Sequence, residues 1–131
     1  MAVYVIDATN VLRRLQDVRR RSPEEDRLSA EFLETMSWLA ARYAPQGHSF
    51  RVVFDGAPRV LGAARIDGLD VFFGKEAGAD RVVLDQARYL TSSGKKVVVV
   101  TADGGLQDLA AEEGAESMLP EEFLRKFRIG R

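Results

Sequence analysis

Four valines in succession, Val97-Val98-Val99-Val100, constrain this chain more than any other feature. β-Branched side chains favour extended backbone, and an unbroken apolar run suits a central strand covered on both faces. Val3-Tyr4-Val5-Ile6 reads the same way. Phe50-Arg51-Val52-Val53-Phe54 and Leu69-Asp70-Val71-Phe72-Phe73 are predicted strands as well. Glu116-Ser117-Met118-Leu119 is the weakest and is expected at an edge.

Helical patterns separate most of these strands. Ser22-Pro23-Glu24-Glu25 has the makings of a helix start: Ser at the cap, Pro at the first position and Glu completing a capping box. Leu28, Phe32, Met36, Leu39 and Tyr43 then share one face at spacings of three and four, and Pro45-Gln46-Gly47 ends the run. Further helices are expected from about Asp80 to Leu90, from about Leu106 to Glu113, and after Pro120, where Phe123, Leu124 and Phe127 are presented. A short helix covers Val11 to Leu15. Between the second and third strands, Gly56 to Gly68 reads as a loop or at most a short helix. Alternating strands and helices imply parallel pairing and right-handed crossovers, hence an α/β fold with three αβα layers, doubly wound. With 131 residues, 46% of them hydrophobic, the chain can build one core, so residues 1–131 are read as a single domain.

Composition removes several functions. The formal net charge is −1, so no overall field draws the chain to nucleic acid or membrane, and any such binding needs a local patch. There is no cysteine, which excludes disulfides and thiolate metal sites. The first strand begins almost at Met1, leaving no room for a leader peptide. No apolar run approaches the roughly 20 residues that span a bilayer. No membrane partner is expected, and the cytoplasm is the expected location.

The acids carry the chemistry. Asp7 follows the first strand, Asp55 the second, Asp103 lies just past the fourth, and Asp80 opens the helix after the third. Ligands of open α/β sheets bind outside the carboxyl ends of the strands, where strand order reverses. Clustered carboxylates repel and raise one another's pKa unless a cation sits among them. Mg²⁺ or Mn²⁺ suits such oxygen donors and can activate water against a phosphodiester. Taken singly, Asp80 and Asp103 also suit helix caps, and Asp55 before Gly56 suits a turn. Caps alone do not require an acid at every rim position.

Other residues fall nearby. Asn10 either orients a carboxylate or caps the short helix, and Thr101 and Thr9 either offer rim hydroxyls or favour a strand end. Asp108 is a further supporting candidate against a solvated helix position. Arg13, Arg14, Arg19, Arg20 and Arg21 follow the first strand closely; they either form a solvated surface or, if they line the rim, attract a phosphate backbone. Lys75 is either a phosphate contact or an exposed loop charge; Asp85 and Glu76 read as surface. His48 is expected to be solvated in a loop, and Trp38 to pack on a helix with its ring buried or partly exposed. Leu61 and Phe127, read as exposed apolar residues, hint at a homodimer.

Four segments resemble the PIN-like nuclease superfamily and, within it, NYN domain proteins of the YacP-like kind. They are Val5-Ile6-Asp7-Ala8-Thr9-Asn10, Val53-Phe54-Asp55-Gly56, Gly78-Ala79-Asp80-Arg81 and Val100-Thr101-Ala102-Asp103-Gly104-Gly105-Leu106. Ala8-Thr9 departs from the Gly and aromatic pair common in that family. The resemblance implies a Rossmann-like, five-stranded parallel sheet in the order 3-2-1-4-5, a divalent metal, and cleavage or binding of RNA, single-stranded or ribosome-associated. It implies a metal-dependent endoribonuclease with catalytic Asp7, Asp55, Asp80 and Asp103. Of these, Asp7, Asp80 and Asp103 would be metal ligands. Asn10, Thr101 and Asp108 would support them, and Arg13, Arg14, Arg19, Arg20, Arg21, Lys75 and Arg81 would contact nucleic acid. The alternative is a non-catalytic RNA-binding module, and a regulatory protein partner is compatible with either. A haloacid-dehalogenase-like phosphatase would need an Asp where Thr9 stands, a receiver domain an Asp at Phe73-Gly74, and no Gly-rich nucleotide loop follows the first strand.

Overall fold

The computed structural model describes residues 1–16, 23–62 and 66–129. The elements run β1 (Val3–Asp7), α1 (Ala8–Gln16), α2 (Pro23–Tyr43), β2 (Ser49–Phe54), β3 (Leu69–Phe73), α3 (Ala79–Ser92), β4 (Val97–Val100), α4 (Gly104–Glu112), β5 (Glu116–Met118) and α5 (Pro120–Phe127). All pairings in the sheet are parallel, and the five strands lie in the order β3-β2-β1-β4-β5. The expected order and three-layer architecture are therefore present. β4 sits inside the sheet and β5 at an edge, as the valine run and the weak last strand suggested.

Strand periodicity sorts the core into two halves. Tyr4, Ile6, Phe50, Val52, Phe54, Val98 and Val100 pack beneath α1, α2 and α5 with Met36, Leu39, Phe123 and Phe127. The alternate residues Val3, Val5, Val53, Val97 and Val99 meet Val83, Ala87 and Leu90 of α3 and Leu106 and Ala110 of α4. Successive strand side chains point to opposite faces, so a strand with helices on both sides is apolar throughout. On the predicted α2 stripe Phe32, Met36 and Leu39 are buried, and Leu28 and Tyr43 at its ends are half-buried. Phe127, expected at the surface, is buried, and Leu61 is partly buried against the same core. Neither residue therefore carries an argument for a homodimer.

His48 also differs from expectation. Its Nδ1 accepts the Ala2 N–H at 3.2 Å, and its ring meets Tyr4, Tyr43 and Phe127 edge-on. Burial, followed by neighbouring positive charge, lowers its pKa, which suits a packed neutral imidazole. Trp38 lies on the outer side of α2, 62% exposed, with Arg42 over its ring. No described helix is long and apolar enough to cross a membrane.

Gly74 sets where α3 starts. Its N–H donates to the Phe54 carbonyl at 2.8 Å, and its own carbonyl accepts the Gly78 N–H at 3.0 Å. A Cβ here would collide with the backbone of Gly78 and Ala79. Backbone cannot yield as a flexible side chain can, so Gly74→Ala is expected to destabilise the fold by about 1–3 kcal/mol. A thermal melt checks this; an unchanged midpoint would mean the loop accommodates a methyl group freely.

Candidate active site

Sheet register brings the acids together. Ile6 pairs with Val52 on one side and Val100 on the other, so Asp7 ends β1 level with the exits of β2 and β4. Continuing the Val3–Val5 phase, Asp7 belongs to the sheet face covered by α3 and α4. Those helices begin at this rim and carry Asp80 in the first turn of α3 and Asp103 at the cap of α4. Strand order reverses between β1 and β4, the switch point where open α/β sheets bind ligands. Asp7, Asp55, Asp80 and Asp103 line one cleft of about 400 Å³ together with Thr9, Asn10 and Arg13.

Three of the acids are anchored by hydrogen bonds. Asp7 is 4% exposed, and its Oδ2 faces the hydroxyl of the fully buried Thr101 at 3.1 Å. Asp55 Oδ1 accepts the Ala79 N–H at 3.3 Å, capping α3 from another strand's exit. Asp103 Oδ1 accepts the Leu106 N–H at 3.1 Å and so caps α4. The cap role weighed for Asp103 is thus real, yet it leaves the second oxygen uncommitted. For Asp80 the described residues provide no hydrogen bond or ion pair.

Hydroxyl and amide groups hold the frame. The Thr101 hydroxyl has one proton to donate, to Asp7 or to Asn10 Oδ1 at 3.3 Å, and it accepts the Asp103 N–H at 3.2 Å. Asn10 lies inside α1, which starts at Ala8, so it does not cap that helix; its Oδ1 instead accepts the Ala102 N–H at 2.9 Å. Thr9 Oγ1 accepts the Asp55 N–H at 2.8 Å. Gln107, which no sequence argument singled out, donates to the Thr101 carbonyl at 2.9 Å. Its spacing of four from Asp103, one turn along α4, was the available signal.

The electrostatics follow from this crowding. Burial pushes the Asp7 carboxyl up to about 6, and the Asp80 and Asp103 carboxylates add to the rise against hydrogen bonds from Thr101 and the Asn10 backbone. Asp80 is raised by desolvation first, then by Asp103 and Asp55. Against four carboxylates, Arg13 is the one cationic side chain lining the cleft among the described residues. Its Nε is held at 2.9 Å by Glu25, which is 2% exposed. Glu25 therefore ties α1 to α2.

The remaining candidates lie elsewhere. Arg14 pairs with Glu121 of α5 at 2.6 Å, and Arg81 with Asp85 one turn along α3 at 3.4 Å. Lys75 and Asp108 are exposed and do not line the cleft. Arg19, Arg20, Arg21 and the cap at Ser22 lie outside the described residues.

The donor set suits a hard cation. Among the described residues no three acids converge tightly enough to enclose an ion by themselves. Mg²⁺ keeps several waters and is usually held by one or two carboxylates together with substrate phosphate. Uncommitted oxygens on several mutually repelling carboxylates match that mode of binding.

Comparison with known proteins agrees with the fold. The crystal structure of Rae1 (YacP) from Bacillus subtilis superposes with a TM-score of 0.70 at 22% identity, covering 98% of this chain and 74% of that one. A single-substitution mutant of the same protein gives 0.67 at 26% identity, over 98% of this chain and 76% of the other. No curated protein matches significantly. A family profile described as the YacP-like NYN domain matches residues 4–129, nearly the whole chain. The chain belongs to the YacP-like NYN domain family and has its PIN-like nuclease fold.

Proposed function

We propose that the protein is a metal-dependent endoribonuclease whose active site is the cleft at the switch point. The observation that carries this reading is the delivery of Asp7, Asp55, Asp80 and Asp103 into one cleft from separate strand exits. Membership of a family with a nuclease fold points to phosphodiester hydrolysis. Asp7, Asp80 and Asp103 would hold Mg²⁺ or Mn²⁺, directly or through water. The ion would supply a water activated at neutral pH and offset charge on the phosphate.

The chain's own residues perform the rest. Asp55 fixes the start of α3, and hence Asp80, through the Ala79 N–H. Thr101 and Asn10 hold the turn that presents Asp103 at the cleft. The uncommitted guanidinium nitrogen of Arg13 offers the phosphate backbone a donor at the cleft wall. The expected setting is the cytoplasm, with RNA as the partner.

Four carboxylates against one guanidinium would repel a polyanion, so RNA is expected to enter the cleft only with a divalent ion present. Labelled single-stranded RNA incubated with Mn²⁺ should be cut, and chelation should abolish both cutting and binding. A non-catalytic RNA-binding module is the second reading, favoured by the lack of three converging acids among the described residues. RNA retained in chelator, uncut under either condition, would establish that alternative.

A further inference from the structure

We propose that Arg59 is a positioning residue of the cleft, fixing Asp55 and, through it, the start of α3 where Asp80 sits. The inference rests on the nuclease reading for its consequence but not for its geometry. Asp55 is held at three points. Its N–H donates to Thr9 Oγ1 at 2.8 Å, its carboxylate accepts the Ala79 N–H at 3.3 Å, and its carbonyl accepts Arg59 Nη1 at 2.9 Å. The same Nη1 donates to the Ala57 carbonyl at 3.0 Å, clamping the turn on both sides of Gly56, whose φ is +86°.

The guanidinium is itself pinned. It lies over the Phe73 ring at 5.3 Å and the Phe54 ring at 5.9 Å, and its Nε donates to Asp26 of α2 at 3.2 Å. The side chain is 12% exposed. A planar fork that stacks on rings while donating in several directions is particular to arginine; a lysine has a point charge and no plane to stack. Among the described residues Arg59 does not line the cleft and makes no contact with Asp7, Asp80 or Asp103; it acts on the site by fixing where Asp55 stands. Its bond to Asp26 uses Nε rather than Nη1 and ties the side chain to α2.

These two roles separate by substitution. Arg59→Lys keeps the charge and loses the fork, whereas Asp26→Asn weakens the ion pair and keeps the carbonyl clamp. In Arg59→Lys the Ala79 amide, held among the described residues by Asp55 alone, should exchange with solvent about tenfold faster or more. RNA cleavage should show kcat reduced about tenfold with KM within about twofold, since misplacing a reacting group costs rate rather than substrate binding. In Asp26→Asn the melting temperature should fall while Ala79 protection and kcat stay at wild-type values. Should Arg59→Lys not fold, Phe73→Leu removes the ring beneath the guanidinium, keeps every donor, and should give a milder version of the same change. Wild-type Ala79 protection in Arg59→Lys, or losses in both Arg59→Lys and Asp26→Asn that track melting temperature alone, would overturn the proposal. Wild-type protein that never cuts RNA would sink the nuclease reading instead, and amide exchange would still decide whether Arg59 positions Asp55.

Discussion

Asp80→Asn should lose RNA cleavage by at least about 100- to 1000-fold, the scale seen when one preorganised electrostatic group is removed from an active site, while the protein becomes no less stable. Among the described residues the Asp80 carboxylate makes no hydrogen bond or ion pair, so its removal leaves no partner unsatisfied. What it does have is repulsion from Asp103 and Asp55, which the neutral amide relieves. Asp103→Asn should lose activity to a similar degree for the same reason. Its fold is expected to survive because asparagine is as good an N-cap as aspartate and can still accept the Leu106 N–H. Activity assays paired with thermal melts check both variants. Full activity in either would remove that residue from the catalytic set, and a large drop in melting temperature for Asp80→Asn would mean that it has a structural partner after all.

The second large effect concerns pH. The Asp7 carboxyl titrates at about 6 in the folded chain against 3.8 as its ordinary value. A raised carboxyl pKa means that the folded state holds its proton longer than the unfolded state does. Below 3.8 both states are protonated and the group is neutral in effect. As pH rises toward about 6 the unfolded chain ionises first, and stability falls by roughly 1.4 kcal/mol per pH unit. Above that the loss is complete, roughly 3 kcal/mol in all. In metal-free buffer the wild type should therefore lose more stability between pH 4 and pH 7 than Asp7→Asn does, and the variant should be the more stable at pH 7. The difference between the two melting curves isolates Asp7 from other titrating groups. Mn²⁺ at pH 7 should raise the wild-type melting temperature and do so less in the variant, because an ion among the carboxylates offsets the same repulsion. Parallel pH profiles for the two proteins would show that Asp7 is not strained by burial.

Much of this molecule was legible from its residues. Val97–Val100 and Val3–Ile6 announced strands covered on both faces, and Leu28, Phe32, Met36, Leu39 and Tyr43 announced the face α2 would bury. Such periodicities are local: each records which side of an element meets apolar neighbours, and no knowledge of the neighbour is needed. The acids were legible for a related reason. In a parallel sheet every strand exits at the same rim, so an Asp after each strand must arrive near the others. The strand order came through resemblance, since periodicity does not say which strands are neighbours.

Contacts that depend on register and on the angle of a side chain were decided only by the tertiary structure. Thr101 reaches Asp7 across 94 residues of chain, and that meeting depends on β1 pairing with β4 at one offset. Asn10 bonds to Ala102 rather than capping α1 because α1 starts at Ala8 without a loop. Gln107 stands at the site, while its neighbour Asp108 points away, because one residue along a helix turns the side chain by about 100°. The spacing of the arginine run leaves open whether it forms a phosphate-binding patch or a solvated surface; of its members, Arg13 is held by Glu25 and Arg14 by Glu121, partners supplied by different helices. Residue type and spacing alone determined that a layered parallel sheet would carry its acids on one rim. Which oxygens are tied to backbone, and which remain open to the cleft, depended on packing, because a hydrogen bond requires its two partners to agree within a few tenths of an ångström.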